Sequence, residues 1–318
     1  QNSKIKLNNI KLVNLVSPKL PLRVLYGGLN VIGSEFDFNK LDIIEAKSED
    51  GVNFVDSKVK GESISAEKIA SDAIDSDFSR VKIGSVFCNY IGNDCVDFSY
   101  SNAKISSIQA NEVGDKVVST GESSKLDLGY ISVIKSFIGL ASKDSSIINV
   151  SEFDYSLVKI PLTAFIKKQE FNSPSIFIKR TLSDILDNSY VSYDSNVNVL
   201  NKKVKGNYTS DEIWELLNLA KELKINPSTV SRILRSKYIQ TPKGALSMKS
   251  LLASSVSKTR KVTPMQLMEE IQKIINEEKN KLSDQKISDL LNKRGFNLAR
   301  RTITKYRKKI NLPSSRNR

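Results

Sequence analysis

Two consecutive rows of 22 residues decide the fold of the N-terminal part: SKVKGESISAEKIASDAIDSDF (57–78) and SRVKIGSVFCNYIGNDCVDFSY (79–100). Rows of this length align columns of like residues along the chain. One column is serine: Ser57, Ser79, Ser101, Ser123 and Ser145. A second is apolar: Val52, Ile74, Val96, Val118, Leu140 and Leu162. A third column, Ile69, Ile91 and Val113, drifts by one residue to Ile134. A fixed period of this size indicates a repeat architecture.

Within each row, short segments alternate apolar and polar residues between turn-forming clusters such as Gly92-Asn93-Asp94, which is typical of β-strands. A single coil of this kind cannot bury its apolar face, whereas stacked coils share one core. The sequence therefore predicts a right-handed parallel β-helix of about six turns over roughly residues 25–168. The rows lack the spacing of a helical repeat, and leucine-rich repeats are a weaker alternative because their signature is missing.

Composition excludes several classes of site. The 318 residues contain no histidine, so a histidine-based catalytic triad and a histidine-ligated zinc are impossible. Cys88 and Cys95 are too few for a zinc site, and we expect them to be small buried apolar residues. We expect no enzyme, no cofactor and no metal. No apolar run is long enough to span a membrane, and Gln1 is not an initiator Met, so we expect a soluble, cytoplasmic protein that is truncated at its start.

The net charge is confined to one end of the chain. Residues 1–210 carry no net charge, and residues 211–318 carry all of the +14. A basic block of this size predicts a polyanionic partner, most often nucleic acid. We expect a multidomain chain with an all-α C-terminal part. The predicted segments are a β-helix (1–170), a cap or linker (171–208), a helix-turn-helix segment (209–258) and a helical domain ending in a second helix-turn-helix (259–318).

Capping signals place the first helix-turn-helix. Thr209-Ser210-Asp211-Glu212 is a capping box that starts one helix, and Asn226-Pro227 starts the next, which runs to about Lys237. In this second helix, Val230, Ile233 and Leu234 are predicted to be buried. The residues left for a DNA partner are Ser228, Thr229, Ser231, Arg232 and Arg235.

The end of the chain repeats this design with a more basic face. Leu282-Ser283 opens a helix that carries Ile287, Leu290 and Leu291 and ends at Gly295. The following helix is predicted to direct Ile303, Tyr306 and Ile310 to the core and to expose Arg300, Arg301, Thr304, Lys305, Arg307 and Lys308. An intervening helix, opened by Thr263-Pro264-Met265-Gln266, is predicted to add the core residues Met265, Leu267, Met268, Ile271, Ile274 and Ile275. Charge alone leaves DNA, an anionic lipid surface and a solvated face as alternatives.

One segment of the last helix, Ala299-Arg300-Arg301-Thr302-Ile303-Thr304-Lys305-Tyr306-Arg307, resembles the ARRTVAKYR box of the sigma-54 (RpoN) transcription factors. Pro227-Ser228-Thr229-Val230-Ser231-Arg232 is similar to the upstream helix-turn-helix of that family, and Lys237–Gly244 to the loop after it. Leu282–Ile287 is similar to its LSD-x-x-I helix. The resemblance implies a sequence-specific, transcription-initiating DNA-binding region for promoters with −24 and −12 elements.

The same resemblance implies roles for single residues. Arg300 and Arg301 are then the base readers of the GG-containing −24 element, because bidentate arginine to guanine is the commonest specific contact, and Arg232 acts near the −12 element. Lys305, Arg307 and Lys308 contact phosphates. The DNA-binding candidates in the box are Ala299, Arg300, Arg301, Thr302, Thr304, Lys305, Tyr306, Arg307 and Lys308. The activator-responsive and polymerase-binding segments of the family are not visible here, so RNA polymerase core stays an open partner.

The N-terminal rows resemble the repeats of bacterial right-handed β-helix proteins, as in Ile91–Phe98 and Ile138–Asp144. Many of those proteins bind or process polysaccharide, so glycan contact by the β-helix, with a basic C-terminal tail, is the alternative function. Its candidate carboxylates are Asp94, Asp97 and Asp115, but Asp beside Gly at a coil corner is usually a turn residue that bonds its own backbone, and a calcium site is a minor alternative. A scaffold with neither activity is a third possibility, and the abrupt change near residues 207–219 suggests a chimeric architecture.

Overall fold

The computed structural model describes residues 3–16, 27–183, 188–206, 208–225, 227–241, 244–248, 264–277, 282–294, 296, 298–310 and 312–313. The chain divides into two compact units, Gln1–Ile213 and Trp214–Arg318. The first unit is built from strands, and the second is built mainly from helices.

The strands of the first unit follow the 22-residue rows. They are β1 (Lys4–Val13), β2 (Gly27–Ile32), β3 (Glu35–Ala46), β4 (Asp50–Val55), β5 (Lys58–Ile69), β6 (Asp72–Asp77), β7 (Arg80–Ile91), β8 (Val96–Ser99), β9 (Asn102–Gly121), β10 (Lys125–Val133), β11 (Ser136–Lys143), β12 (Ile147–Tyr155), β13 (Val158–Phe165), β14 (Ser175–Arg180), β15 (Tyr190–Val191), β16 (Asn196–Val199) and β17 (Lys202–Val204).

The remaining elements are α1 (Ser210–Glu222), α2 (Pro227–Ser236), β18 (Tyr238–Thr241), β19 (Gly244–Ser247), α3 (Pro264–Glu277), α4 (Asp284–Lys293) and α5 (Arg300–Lys309). The predicted capping box of α1 is confirmed, because Thr209 N donates to Glu212 Oε2 (2.8 Å) and Glu212 N donates to Thr209 Oγ1 (3.2 Å). The predicted caps Asn226 and Thr263 and the helix stop Gly295 lie outside the described residues.

Two stacks of parallel strands form a β-solenoid of about eight turns between residues 27 and 199. One stack runs through β1, β3, β5, β7, β9, β10, β12, β14 and β16, and the other through β2, β4, β6, β8, β9, β11, β13 and β15. The parallel β-helix is therefore confirmed. It continues for about two more turns than the six we predicted, through residues expected to be a cap or linker. It ends in the antiparallel pair β16–β17.

The apolar column forms the centre of the solenoid core. Val52 is paired with Ile74, Ile74 with Val96, and Val96 with Val118 as Cα register partners. Leu140 continues the column to Leu162. All of these side chains are fully buried. The 22-residue period thus equals one turn of the solenoid, which places like residues directly over one another.

The serine column forms a buried ladder of hydrogen bonds at one corner. Ser57 N donates to Ser79 Oγ (2.9 Å), and Ser79 N donates to Ser101 Oγ (2.9 Å). Each hydroxyl thus satisfies a backbone N–H of the neighbouring coil, where the turn leaves that group without a strand partner. A small side chain is required because the corner lies against the core.

Beyond Ser101 the serine ladder shifts by one residue, so the assignment of Ser123 and Ser145 to this column is wrong. Ser101 N donates to Ser124 Oγ (2.9 Å), and Ser124 N donates to Ser146 Oγ (3.2 Å). Earlier corners contain one residue with positive φ, such as Tyr100 (50°), whereas this corner contains both Glu122 (51°) and Ser123 (61°). The extra turn residue displaces the ladder.

The same shift corrects the third column. Val113 is paired with Ser136 rather than aligned with Ile134, and Ile134 is exposed.

The two cysteines form a disulfide, so our expectation of simple apolar filling is wrong. Cys88 lies on β7 and Cys95 follows the next corner, and both side chains point into the solenoid interior and are buried. Their Cα atoms are 6.0 Å apart, within the range that a disulfide bridges. Turning of the coil, rather than proximity in sequence, brings the sulfurs together.

The second unit has a helical core, as predicted, and it also contains the short antiparallel pair β18–β19. The pair begins two residues after α2, where the sequence suggested a loop. The buried core residues are Leu267, Ile271, Ile274, Ile275, Ile287, Leu291, Phe296, Leu298, Ile303 and Tyr306. Met268 and Ile310 are partly buried against this core, and the side chain of Met265 lies outside the described part.

Candidate nucleic-acid interface

Helix α5 is anchored on one face only. Ile303 is fully buried and Tyr306 is 7% exposed, and both belong to the core that α3 and α4 also build. A helix with one apolar face leaves the opposite face to solvent. The pose of α5 is therefore set by the core, and its outer face is free for a partner.

The start of α5 is tied to α4 by side-chain hydrogen bonds to Leu298. Its carbonyl oxygen accepts from Ser288 Oγ (2.6 Å) and from Asn292 Nδ2 (3.0 Å), and Leu298 N donates to Asn292 Oδ1. Ser288 is itself buried. These bonds fix the point from which α5 begins and thus the position of its first turn.

Basic side chains occupy the outer face of α5. Ala299, Arg300, Arg301 and Lys305 are exposed, and Thr302 is half-buried. Arg301 and Lys305 lie one helical turn apart on the face opposite Ile303, because residues four apart share a face. The side chain of Lys308 lies outside the described part of the chain, so its role stays a prediction.

Arg307 is not on the exposed face, and our prediction for this residue is wrong. It is 5% exposed, and its Nε and Nη2 atoms donate to Asp284 Oδ1 (2.8 Å) and Oδ2 (3.1 Å). Its Nη1 atom donates to the Leu312 carbonyl oxygen. The guanidinium therefore has its hydrogen-bond partners inside the unit and stabilises α5 against α4.

Thr304 forms a hydrogen bond to the same carboxylate. Its hydroxyl donates to Asp284 Oδ2 (2.8 Å), and it also lies within hydrogen-bond distance of the Arg300 carbonyl oxygen (3.1 Å). Thr304 is half-buried rather than exposed. The sequence missed Asp284 as a site residue because an acidic residue in the first turn of a helix already has an ordinary role at the helix N-terminus.

Tyr306 has a supporting role. Its ring is packed in the core, and burial raises the pKa of its phenol. Lys305 Nζ lies 5.7 Å from the centre of that ring, within the range of a cation–π contact. Tyr306 thus packs beside a basic residue of the exposed face.

Helix α2 presents a smaller polar surface than predicted. Thr229 and Arg232 are exposed, and Val230 and Leu234 are buried as predicted. Ser231 is 7% exposed and Ile233 is 40% exposed, so these two predictions are reversed. The register of α2 on its neighbours therefore differs from the one inferred from periodicity. The side chains of Ser228 and Arg235 lie outside the described part.

Helix α4 is itself held at both ends. Ser283 Oγ accepts from Lys286 N (3.3 Å) as an N-cap. At its other end, Arg294 Nη1 lies 3.1 Å from Glu270 Oε2 of α3. Both ends of the helix that positions α5 are thus fixed by specific contacts.

Two of the three solenoid carboxylates considered for glycan contact form ion pairs within the solenoid. Lys116 Nζ lies 3.0 Å from Asp94 Oδ1 and 2.7 Å from Asp115 Oδ2, and both carboxylates are buried. Burial raises the pKa of Asp94 to about 7, against the opposing effect of Lys116. Asp97 is half-buried. Asp94 and Asp115 are therefore structural groups at a corner, as the turn-residue interpretation expected, and the observed contacts do not support the glycan alternative for them.

Metal-binding clusters and membrane-spanning helices are both absent from the described residues. Within them, no group of three or more Cys, Asp or Glu residues is arranged to hold a metal ion. No helix there is long and apolar enough to cross a membrane.

Comparison with known proteins assigns the C-terminal unit. Residues 212–318 match the family model described as "Sigma-54, DNA binding domain". RNA polymerase sigma-54 factors of Bacillus subtilis, Xanthomonas euvesicatoria and Acinetobacter guillouiae are 39%, 36% and 35% identical over 105, 109 and 107 residues. These matches cover 31–32% of this chain and 22–24% of the relatives.

The chain thus spans about a quarter of the length of these curated relatives. No solved structure matches it. The matched region contains helix α5, which is anchored on α4, and the exposed basic face of α5. Residues 212–318 therefore carry a sigma-54 DNA-binding domain, and the same chain contains a β-solenoid ahead of it.

Proposed function

We propose that this protein binds promoter DNA of the −24/−12 type in the manner of a sigma-54 factor. The observation that supports the proposal most is α5, whose exposed Arg300, Arg301 and Lys305 are presented by a helix that α4 holds in place. Arginine side chains read guanine edges in the major groove, while lysines favour phosphates. The segments after Pro227 and Leu282 are proposed as two helix-turn-helix units that read the two elements.

RNA polymerase core is a further proposed partner, because the relatives are named RNA polymerase sigma-54 factors. The proposed DNA contacts all lie in the C-terminal unit. Polymerase binding therefore has to be tested separately, by mixing the chain with core enzyme and looking for a complex that migrates as one species.

The test of the central proposal is a titration of the full chain against two labelled duplexes, one with both elements and one scrambled. Phosphate contacts weaken steeply with salt, whereas base contacts discriminate between sequences. We expect a preference for the paired elements that persists at the higher of two salt concentrations. Equal and salt-sensitive binding to both duplexes would contradict sequence-specific recognition.

A further inference from the structure

Basic side chains form a stripe on one outer face of the solenoid. Lys60 is paired with Lys82, and Lys82 with Lys104, as register partners on neighbouring coils. Arg80 lies two residues before Lys82 on the same face, and Lys125 occupies the same column as Arg80, two coils further along. These five exposed residues are called the basic stripe: Lys60, Arg80, Lys82, Lys104 and Lys125.

Carboxylates border the stripe at both ends, where Asp37 is the register partner of Lys60 and Asp127 is that of Lys104. Among the described residues, no ion pair involves any of its five members, whereas Lys58, Lys68 and Lys135 are paired with glutamates at 3.0–3.2 Å. Neighbouring coils are about 4.8 Å apart, and like charges at directly opposite positions destabilise a sheet. A bound polyanion would remove this repulsion.

A cleft of about 580 Å³ lies where the stripe reaches Lys104. It is lined by Lys104 and Lys179 and by Ser106, Gly129 and Ser151. A Cβ atom on Gly129 would lie 2.0 Å from the Ser106 carbonyl oxygen. Glycine is therefore required there, because the backbone of the neighbouring coil leaves no space for a Cβ atom.

The polar groups of the cleft suit a sugar. Asn149 Nδ2 donates to Asp127 Oδ1 (2.9 Å), which orients an amide and a carboxylate side by side. Both side chains are exposed to the cleft, and Phe177 adds a half-buried ring. Carboxylate and amide oxygens accept from hydroxyls, an aromatic ring packs on the apolar face of a sugar, and the lysines pair with acidic groups.

We propose that the basic stripe and this cleft bind a linear acidic polysaccharide. An extended chain of sugars can lie along the stripe and present an acidic group to successive coils. Duplex DNA fits less well, because its closely spaced phosphates wind around the helix axis while the stripe is a straight row. This site is independent of DNA binding by the C-terminal unit.

The experiment uses the full chain with oligogalacturonate as the acidic probe, a neutral glucan oligomer of equal length, and the paired-element duplex. The stripe variant is Lys60→Gln/Lys82→Gln/Lys104→Gln. Its control, Lys11→Gln/Lys159→Gln/Lys203→Gln, removes the same charge from exposed lysines elsewhere on this unit. Circular dichroism and thermal unfolding check that both variants fold.

We expect the stripe variant to bind oligogalacturonate about tenfold more weakly than the parent, and the control to stay within about twofold. Phe177→Ala should weaken binding without changing its salt dependence. Saturation of the chain with the duplex should leave the oligogalacturonate affinity unchanged, and the neutral glucan should bind more weakly than the acidic probe.

Three results would overturn the proposal. If the stripe and control variants lost equal affinity for oligogalacturonate, binding would depend only on the net charge of the chain and not on the stripe. Displacement of oligogalacturonate by the duplex would assign the binding to the DNA-binding domain. A stripe variant that loses affinity for duplex DNA but keeps affinity for oligogalacturonate would make the stripe a nucleic-acid surface.

Discussion

The carboxylate of Asp284 at the start of α4 accepts two hydrogen bonds from the guanidinium of Arg307 on α5, at 2.8 and 3.1 Å. The Thr304 hydroxyl donates to the same carboxylate at 2.8 Å. Both charged side chains are about nine-tenths buried. This one carboxylate thus sets the rotation of α5 and determines which of its basic side chains face outward.

Asp284→Ala should destabilise the C-terminal unit by about 3–5 kcal/mol, because it leaves the Arg307 charge buried without its partner. Thermal unfolding followed by helical circular dichroism measures the loss. Asp289→Ala on the exposed side of α4 is the matched control and should change stability little. An unchanged midpoint for Asp284→Ala would contradict the anchoring role.

Arg301→Ala and Lys305→Ala should have different effects on DNA. The loss of Arg301 should weaken binding to a GG-containing site by about 1–3 kcal/mol and relax discrimination there. Loss of Lys305 should weaken all duplexes alike and reduce the salt slope by about one. Titrations of both variants against specific and scrambled duplexes at several salt concentrations test this. Identical effects on both duplexes would refute base reading by Arg301.

Ser79→Ala should destabilise the solenoid by about 1–3 kcal/mol, because the Ser57 N–H loses its acceptor in a buried corner. The measurement is urea unfolding of the full chain. Ser85→Ala lies on the outer surface of the same coil and serves as the control. If both variants unfold at the same urea concentration, the serine ladder has no stabilising role.

Asp75 should make the solenoid less stable as pH rises. Burial, with the nearby Asp77, Asp50 and Asp97 carboxylates, raises its pKa from 3.8 to about 8. Between these two values the folded chain binds more protons than the unfolded chain, so the free energy of unfolding decreases as pH increases.

Asp75→Asn should therefore raise the unfolding temperature at pH 8 and leave it nearly unchanged at pH 4. The control is Asp56→Asn at an exposed corner, which should show no such difference. An equal effect of Asp75→Asn at both pH values would contradict the raised pKa.

The disulfide can be tested by alkylation. Under denaturing conditions without reductant, Cys88 and Cys95 should remain unlabelled, and after reduction both should be labelled, as read from the intact mass. Replacing both with Ala should lower stability by about 2 kcal/mol, because the unfolded chain regains freedom. Labelling of both cysteines before reduction would exclude the bond.

The coil of the solenoid could be predicted from residue spacing alone, because stacked turns require like residues at a constant spacing. Val52 and Leu162 could be placed in one column without any coordinates. In the structure, each is paired with the column residue of its neighbouring coil, Ile74 and Leu140 respectively. The sequence also indicated the DNA-binding domain, because the box from Ala299 to Arg307 is a contiguous motif. Local signals were sufficient for both.

Which side chains have partners depends on the three-dimensional packing. Arg307 and Lys305 have the same charge and lie on one helix. Arg307 is buried because it pairs with Asp284, which is distant in sequence, whereas Lys305 is exposed. Likewise, the turn of the coil joins Cys88 to Cys95, and an extra corner residue moves the serine ladder to Ser124. Contacts between distant segments depend on the register of packing, which local residue patterns do not specify.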